Sequence, residues 1–108
     1  MSSERPLILV TNDDGVMAPG IRALRAALGE LGEVVVAAPD RERSAASHSI
    51  SLDRPLRVDE LEPGVFSIDG TPVDCVYLAL LHLVKRRPAL VVSGILAAGL
   101  YWMNHSKH

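Results

Sequence analysis

The run Leu7-Ile8-Leu9-Val10-Thr11-Asn12-Asp13-Asp14-Gly15 is an apolar segment that stops abruptly on two adjacent carboxylates and a glycine. An apolar run without polar alternation suits a strand buried on both faces, as in a parallel sheet covered by helices. Sheets of that kind bind ligands beyond the carboxyl ends of their strands. Two neighbouring carboxylates at such an end repel each other unless a cation or a shared proton relieves them. Hard oxygen donors favour Mg²⁺ or Mn²⁺. The same residues also suit a plain turn, since Asp and Gly commonly make one after a strand. At this point both readings stand.

The rest of the chain follows the pattern of alternating strands and helices. Pro19 suits the first position of a helix. Ile21, Leu24, Leu28 and Leu31 then form one apolar stripe at helical spacing, with Gly29 and Gly32 at its end. Glu33 to Ala38 reads as a second buried strand, completing a βαβ unit within about 30 residues. Residues 40–54 are polar and serine-rich, and parallel topology puts them on the same rim as Asp13 and Asp14. Residues 55–69 alternate weakly around Pro63-Gly64, which predicts a peripheral hairpin.

Thr71-Pro72-Val73-Asp74 is a helix start: a threonine cap, a proline in the first turn and an acid three residues after the cap. Val73, Val76, Tyr77, Leu80, Leu81 and Val84 predict the apolar face of that helix, and Pro88 ends it. Ala89 to Val92 reads as a third strand, running into Ser93-Gly94. The expected fold is α/β, about three parallel strands with flanking helices, something like half of a doubly wound domain.

Composition narrows the function classes. At 108 residues the chain holds one domain at most. Hydrophobic residues at 48% exclude a disordered chain, and the 4% of aromatics leave Val, Leu, Ile and Ala to build the core. A net charge of −2 gives no electrostatic reason for binding a nucleic-acid duplex. No apolar stretch approaches a membrane span, and the polar start Met1 to Pro6 has no apolar signal region. Cys75 is the single cysteine, so no internal disulfide forms. These features predict a cytoplasmic protein without a membrane partner.

Several side chains are candidates for chemistry. Asp13 and Asp14 would hold the cation, and Ser44 would offer a neutral oxygen. Asn12, Gly15, Ser47 and His48 are the candidates for contact with a phosphate-bearing substrate. Arg41 and Arg43 could neutralise an anion, although charged loop residues are commonly just solvated. Cys75 reads as a small core residue. No dinucleotide-binding or P-loop glycine pattern is present. An acidic pair after the first strand also fits a receiver-type phosphoacceptor module. That alternative predicts a third aspartate and a lysine at the ends of later strands, whereas the third strand here ends in Ser93-Gly94.

The motifs resemble those of the SurE family, the stationary-phase survival proteins that act as 5'/3'-nucleotidases. The resemblance rests on Leu9 to Gly15 followed by Ala18-Pro19-Gly20-Ile21, and on Val36 to Ile50. It continues in Asp69 to Val76 and Val91 to Ile95. It implies a Rossmann-like parallel sheet with flanking helices, truncated here on its C-terminal side. The implied activity is a divalent-metal-dependent phosphomonoesterase acting on nucleoside monophosphates, with water as the nucleophile. Carried over by motif, Asp13, Asp14 and Ser44 are implied to hold one Mg²⁺ or Mn²⁺, and a homodimer or tetramer is the implied working form. The resemblance also implies an asparagine ligand directly after Ser93-Gly94-Ile95, where this chain has Leu96. A Leu side chain cannot ligate a hard cation. The expected division is therefore a SurE-like core over residues 1–95 and a divergent tail over 96–108, and a non-catalytic remnant is the alternative to an active enzyme.

Overall fold

The computed structural model describes residues 5–43 and 54–94. Strand β1 (Leu7–Thr11) is buried along its whole length, as the unbroken apolar run requires. Helix α1 (Pro19–Leu28) opens on Pro19, and strand β2 (Glu33–Pro39) follows. Next come β3 (Val58–Glu62), β4 (Val65–Ile68), helix α2 (Pro72–Leu78) and β5 (Leu90–Ser93).

The five strands form one sheet in the order β3-β4-β2-β1-β5. Four of them are parallel, and β3 lies antiparallel on the edge beside β4. The segment read as a peripheral hairpin therefore enters the main sheet: β4 pairs with β2 through Val36↔Val65, Ala37↔Phe66 and Ala38↔Ser67. The sheet is wider than the three strands expected. The alternation along β4 was faint because Val65, Ser67 and Ile68 are all buried, so both faces of this short strand face inward.

The two helices cover opposite faces. Ile8 and Val10 of β1 join Val36, Ala38, Ile21 and Leu24 in one core cluster under α1. Leu7 and Leu9 point the other way and meet Val35, Ala37, Ile68, Cys75 and Ala79 under α2. This is the period-2 alternation of a strand between two apolar layers. Leu31, expected to extend the stripe of α1, lies beyond the end of the helix and is exposed.

Helix α2 begins as the sequence requires. Thr71 Oγ1 accepts from the Asp74 amide at 3.1 Å, and Asp74 Oδ2 accepts from the Thr71 amide at 2.9 Å, a complete capping box. Its buried face differs in part from the expected one, with Val76 and Val84 packed on the core. Asp74, Cys75 and Ala79 are buried, whereas Tyr77, Leu80 and Leu81 are exposed. Small residues let the helix lie close to the sheet, and the capping box turns Asp74 inward. The helix then widens into a π-turn over Ala79–Leu83, with the Val84 amide donating to the Ala79 carbonyl at 3.0 Å. That extra residue per turn brings Leu83 and Val84 onto the core and upsets a stripe counted at 3.6 residues per turn.

At the end of β4, Asp69 Oδ1 accepts from the Arg57 amide at 2.6 Å. That bond holds the Asp69 carboxyl below the usual range; burial opposes it, and the charges of Arg54 and Arg57 reinforce it. No helix among the described residues is long and apolar enough to cross a membrane.

Two substitutions test this architecture by urea unfolding. Leu9→Ala empties a fully buried position between the sheet and α2 and is expected to cost about 3 kcal/mol. Thr71→Ala removes the cap of α2 and is expected to cost about 1 kcal/mol through a lower midpoint with an unchanged slope.

Candidate functional site

Strand order reverses at β1. The chain passes from β1 to β2 and β4 on one side, then returns to place β5 on the other side of β1. Such a reversal opens a crevice outside the carboxyl ends of the two strands that flank it, where open α/β sheets bind ligands. Asp13 and Asp14 follow β1 directly and stand at that crevice.

The loop that carries them is held by its neighbours. Asn12 is buried, and its Nδ2 donates to the Gly15 carbonyl at 2.9 Å while its Oδ1 accepts from the Gly15 amide at 3.1 Å. Gly15 has a φ of +107°, and a Cβ there would stand 3.1 Å from the Arg41 carbonyl carbon. The turn thus requires glycine for its conformation and for the close approach of the segment after β2. On the other side, a Cβ on Gly94 would lie 2.2 Å from the Asn12 Cβ, so only glycine lets the end of β5 close on the loop.

Backbone bonds complete the lacing. The Val16 amide donates to the Pro39 carbonyl, the Asp40 amide to the Ile68 carbonyl and the Arg43 amide to the Asp13 carbonyl, each at 2.8 Å. The ends of β1, β2 and β4 are therefore fixed relative to one another without using the carboxylates. Asp13 is half-buried and Asp14 exposed, and neither spends a carboxylate oxygen on a hydrogen bond or ion pair among the described residues.

Two adjacent, unspent carboxylates at a strand end offer hard oxygen donors that fit Mg²⁺ or Mn²⁺. Among the described residues no group of three or more His, Cys, Asp or Glu gathers. Ser44, Ser47 and His48 lie outside the described residues. Asn12 and Gly15, expected to contact substrate, are brought to the loop, where they shape the turn under the acidic pair.

Sequence reasoning did not single out Thr11. Its hydroxyl is buried, with the residue 7% exposed, and has no hydrogen-bond partner among the described residues. A hydroxyl closing an otherwise apolar strand was the available signal. The arginines also separate. The Arg41 side chain is 74% exposed and lies 3.9 Å from Asp40, whereas that of Arg43 is 24% exposed and donates to Asp40 Oδ1 at 3.1 Å.

Cys75, on the α2 side of the sheet, is a buried free thiol pushed up to about 12. Burial is the main cause and the charge of Asp74 adds to it, with Arg43 opposing and Asp40 reinforcing. A cavity of about 260 Å³ between α1 and the β3–β4 edge is lined by Val16, Met17, Ile21, Leu61 and Val65 among others, and does not include the acidic pair.

The fold and rim define a doubly wound α/β protein with an acidic pair at its switch point. The family described as "Survival protein SurE" matches residues 8–98. A relative named 5'-nucleotidase SurE from Geobacter metallireducens is 59% identical over 92 residues, covering 85% of this chain and 36% of the relative. One of the same name from Syntrophotalea carbinolica is 63% identical over 89 residues, 82% of this chain and 36% of its own length. The crystal structure of the SurE protein from Aquifex aeolicus superimposes with a TM-score of 0.79 at 46% identity, over 83% of this chain and 37% of that one. The chain belongs to the SurE family, and it spans about 36% of the length of these two relatives.

Gly15→Ala is expected to lower the thermal midpoint by several degrees, reflecting about 1–3 kcal/mol of backbone strain. Gly20→Ala, in α1 with nothing within 4 Å of the added Cβ, is expected to raise it slightly. Cys75 is expected to resist a disulfide-exchange reagent in the native protein at pH 8 and to react in full in urea, measured by thiol release.

Proposed function

We propose that this chain binds one divalent cation, Mg²⁺ or Mn²⁺, through Asp13 and Asp14 with Ser44 as a neutral donor, and acts on the phosphate of nucleoside 5'(3')-monophosphates. The observation that carries this reading is the placement of two unspent carboxylates at the switch point of the sheet, on a loop fixed by other groups. The names of its relatives, 5'-nucleotidase SurE, agree with it. When bound, such a cation supplies Lewis-acid stabilisation of the charge on a transferring phosphoryl group.

The chain's own residues orient and hold. The Asn12–Gly15 bonds hold the loop that carries Asp13 and Asp14. Ser47 and His48, on the segment that follows β2, are assigned to the substrate's phosphate oxygens. A second reading, binding without turnover, is favoured by one observation: Leu96 stands where the family resemblance implies an asparagine ligand.

Millimolar Mn²⁺ is expected to raise the thermal midpoint of the chain by about 5–10 °C, because a ligand of the native state at roughly ten times its Kd adds about 1.4 kcal/mol. Asp13→Asn is expected to abolish the shift. A midpoint indifferent to Mn²⁺ overturns the cation assignment. Phosphate release from AMP with Mn²⁺ present separates the readings: release by the wild-type chain and its loss in Asp13→Asn support turnover, and a metal-induced shift without release supports binding alone.

A further inference from the structure

The segment after β2 carries two arginines, and the structure gives them different surroundings. The Arg43 backbone amide is bonded to the Asp13 carbonyl, which places this residue directly beside the acidic pair. Its guanidinium uses one terminal nitrogen on Asp40, while its Nε is buried and has no hydrogen-bond partner among the described residues. A buried N–H of a charged group left without an acceptor is costly and calls for one. The hydroxyl of Thr11, the last residue of β1, is a second unpartnered polar group at this end of the sheet. Strand alternation puts Thr11 on the same face as Leu7 and Leu9, the α2 side, where the charges of Arg43 and Asp40 are also felt by Cys75.

We propose that Arg43 is a substrate-binding residue whose Nε–H donates to a phosphate oxygen of the substrate, opposite the cation held by Asp13 and Asp14. The assignment rests on the cation reading above and deepens it by naming the group that meets the anion. An acidic rim alone repels a phosphate dianion, and one divalent cation only balances the two carboxylates. A guanidinium supplies the remaining positive charge, and its planar fork matches phosphate geometry, which an ammonium does not. The bond to Asp40 occupies a terminal nitrogen and leaves Nε–H for the ligand. Arg41, exposed and loosely paired, has no such unspent buried donor.

The test is calorimetric titration of the full chain with inorganic phosphate at pH 8, with Mg²⁺ present and absent. Arg43→Ala is expected to weaken Mg²⁺-dependent phosphate binding about tenfold or more, the usual consequence of losing a charged hydrogen bond. Arg43→Lys, which keeps the charge and loses the fork, is expected to weaken it about threefold or more. Arg41→Ala is expected to stay within about twofold of the wild type, since an exposed charge contributes little. Circular dichroism checks folding, and Arg43→Lys decides alone if the alanine variant does not fold.

Asp13→Asn separates the two failures. If it removes Mg²⁺-dependent phosphate binding while Arg43→Ala and Arg43→Lys match the wild type, the cation site stands and the role of Arg43 is overturned. If the wild-type chain shows no Mg²⁺-dependent phosphate binding, both are overturned.

Discussion

The site depends on the burial of β1 from both sides. With β2 and β5 hydrogen-bonded to its edges and a helix over each face, none of Leu7 to Val10 can carry charge. A carboxylate at any of them would have to be desolvated without a partner, at a cost far above the stability of a small domain. Charge is tolerated only where the strand leaves the sheet, and the chain places two acids within three residues of that point. The same burial fixes the register, because a slip of one residue would exchange the α1 face for the α2 face.

Holding two carboxylates together without spending them is the second requirement, and the Asn12 side chain and backbone groups meet it. Asn12 closes the loop on Gly15, Gly94 lets β5 approach, and the Arg43 amide takes the Asp13 carbonyl. Fixing the loop through Asn12 and the main chain leaves both carboxylates free, the preorganisation that the proposed cation site needs.

Features set by local physics were legible in the sequence. The unbroken run of β1, the proline opening α1 and the capping box of α2 each follow from a few adjacent residues, as does the acidic pair at the end of β1. Features set by tertiary contact were not. The place of β4 depends on pairing with β2 some 30 positions earlier in the chain, and nothing in Val65 to Ile68 announces that partner. The rotation of α2 follows from small residues at Cys75 and Ala79 and from the π-turn, whereas hydrophobicity favoured Tyr77, Leu80 and Leu81. The site shows the same division. Asp13 and Asp14 could be read from their position after a buried strand, whereas Ser44, Ser47 and His48 rest on motif and lie outside the described residues.

Arg41 and Arg43 show why exposure decides what spacing cannot. In sequence they flank one glutamate and are equivalent. In the fold one is solvated, and the other sits against Asp13 with its stem covered and one donor unspent. In water an arginine gains little from an anion, because the solvent screens both charges. Where the guanidinium is largely covered the screening falls, and an unused N–H becomes a cost that an oxyanion relieves. The covered arginine and the acidic pair are complementary on this account: the carboxylates draw in a cation, and cation and guanidinium together turn a rim that would repel phosphate into one that holds it.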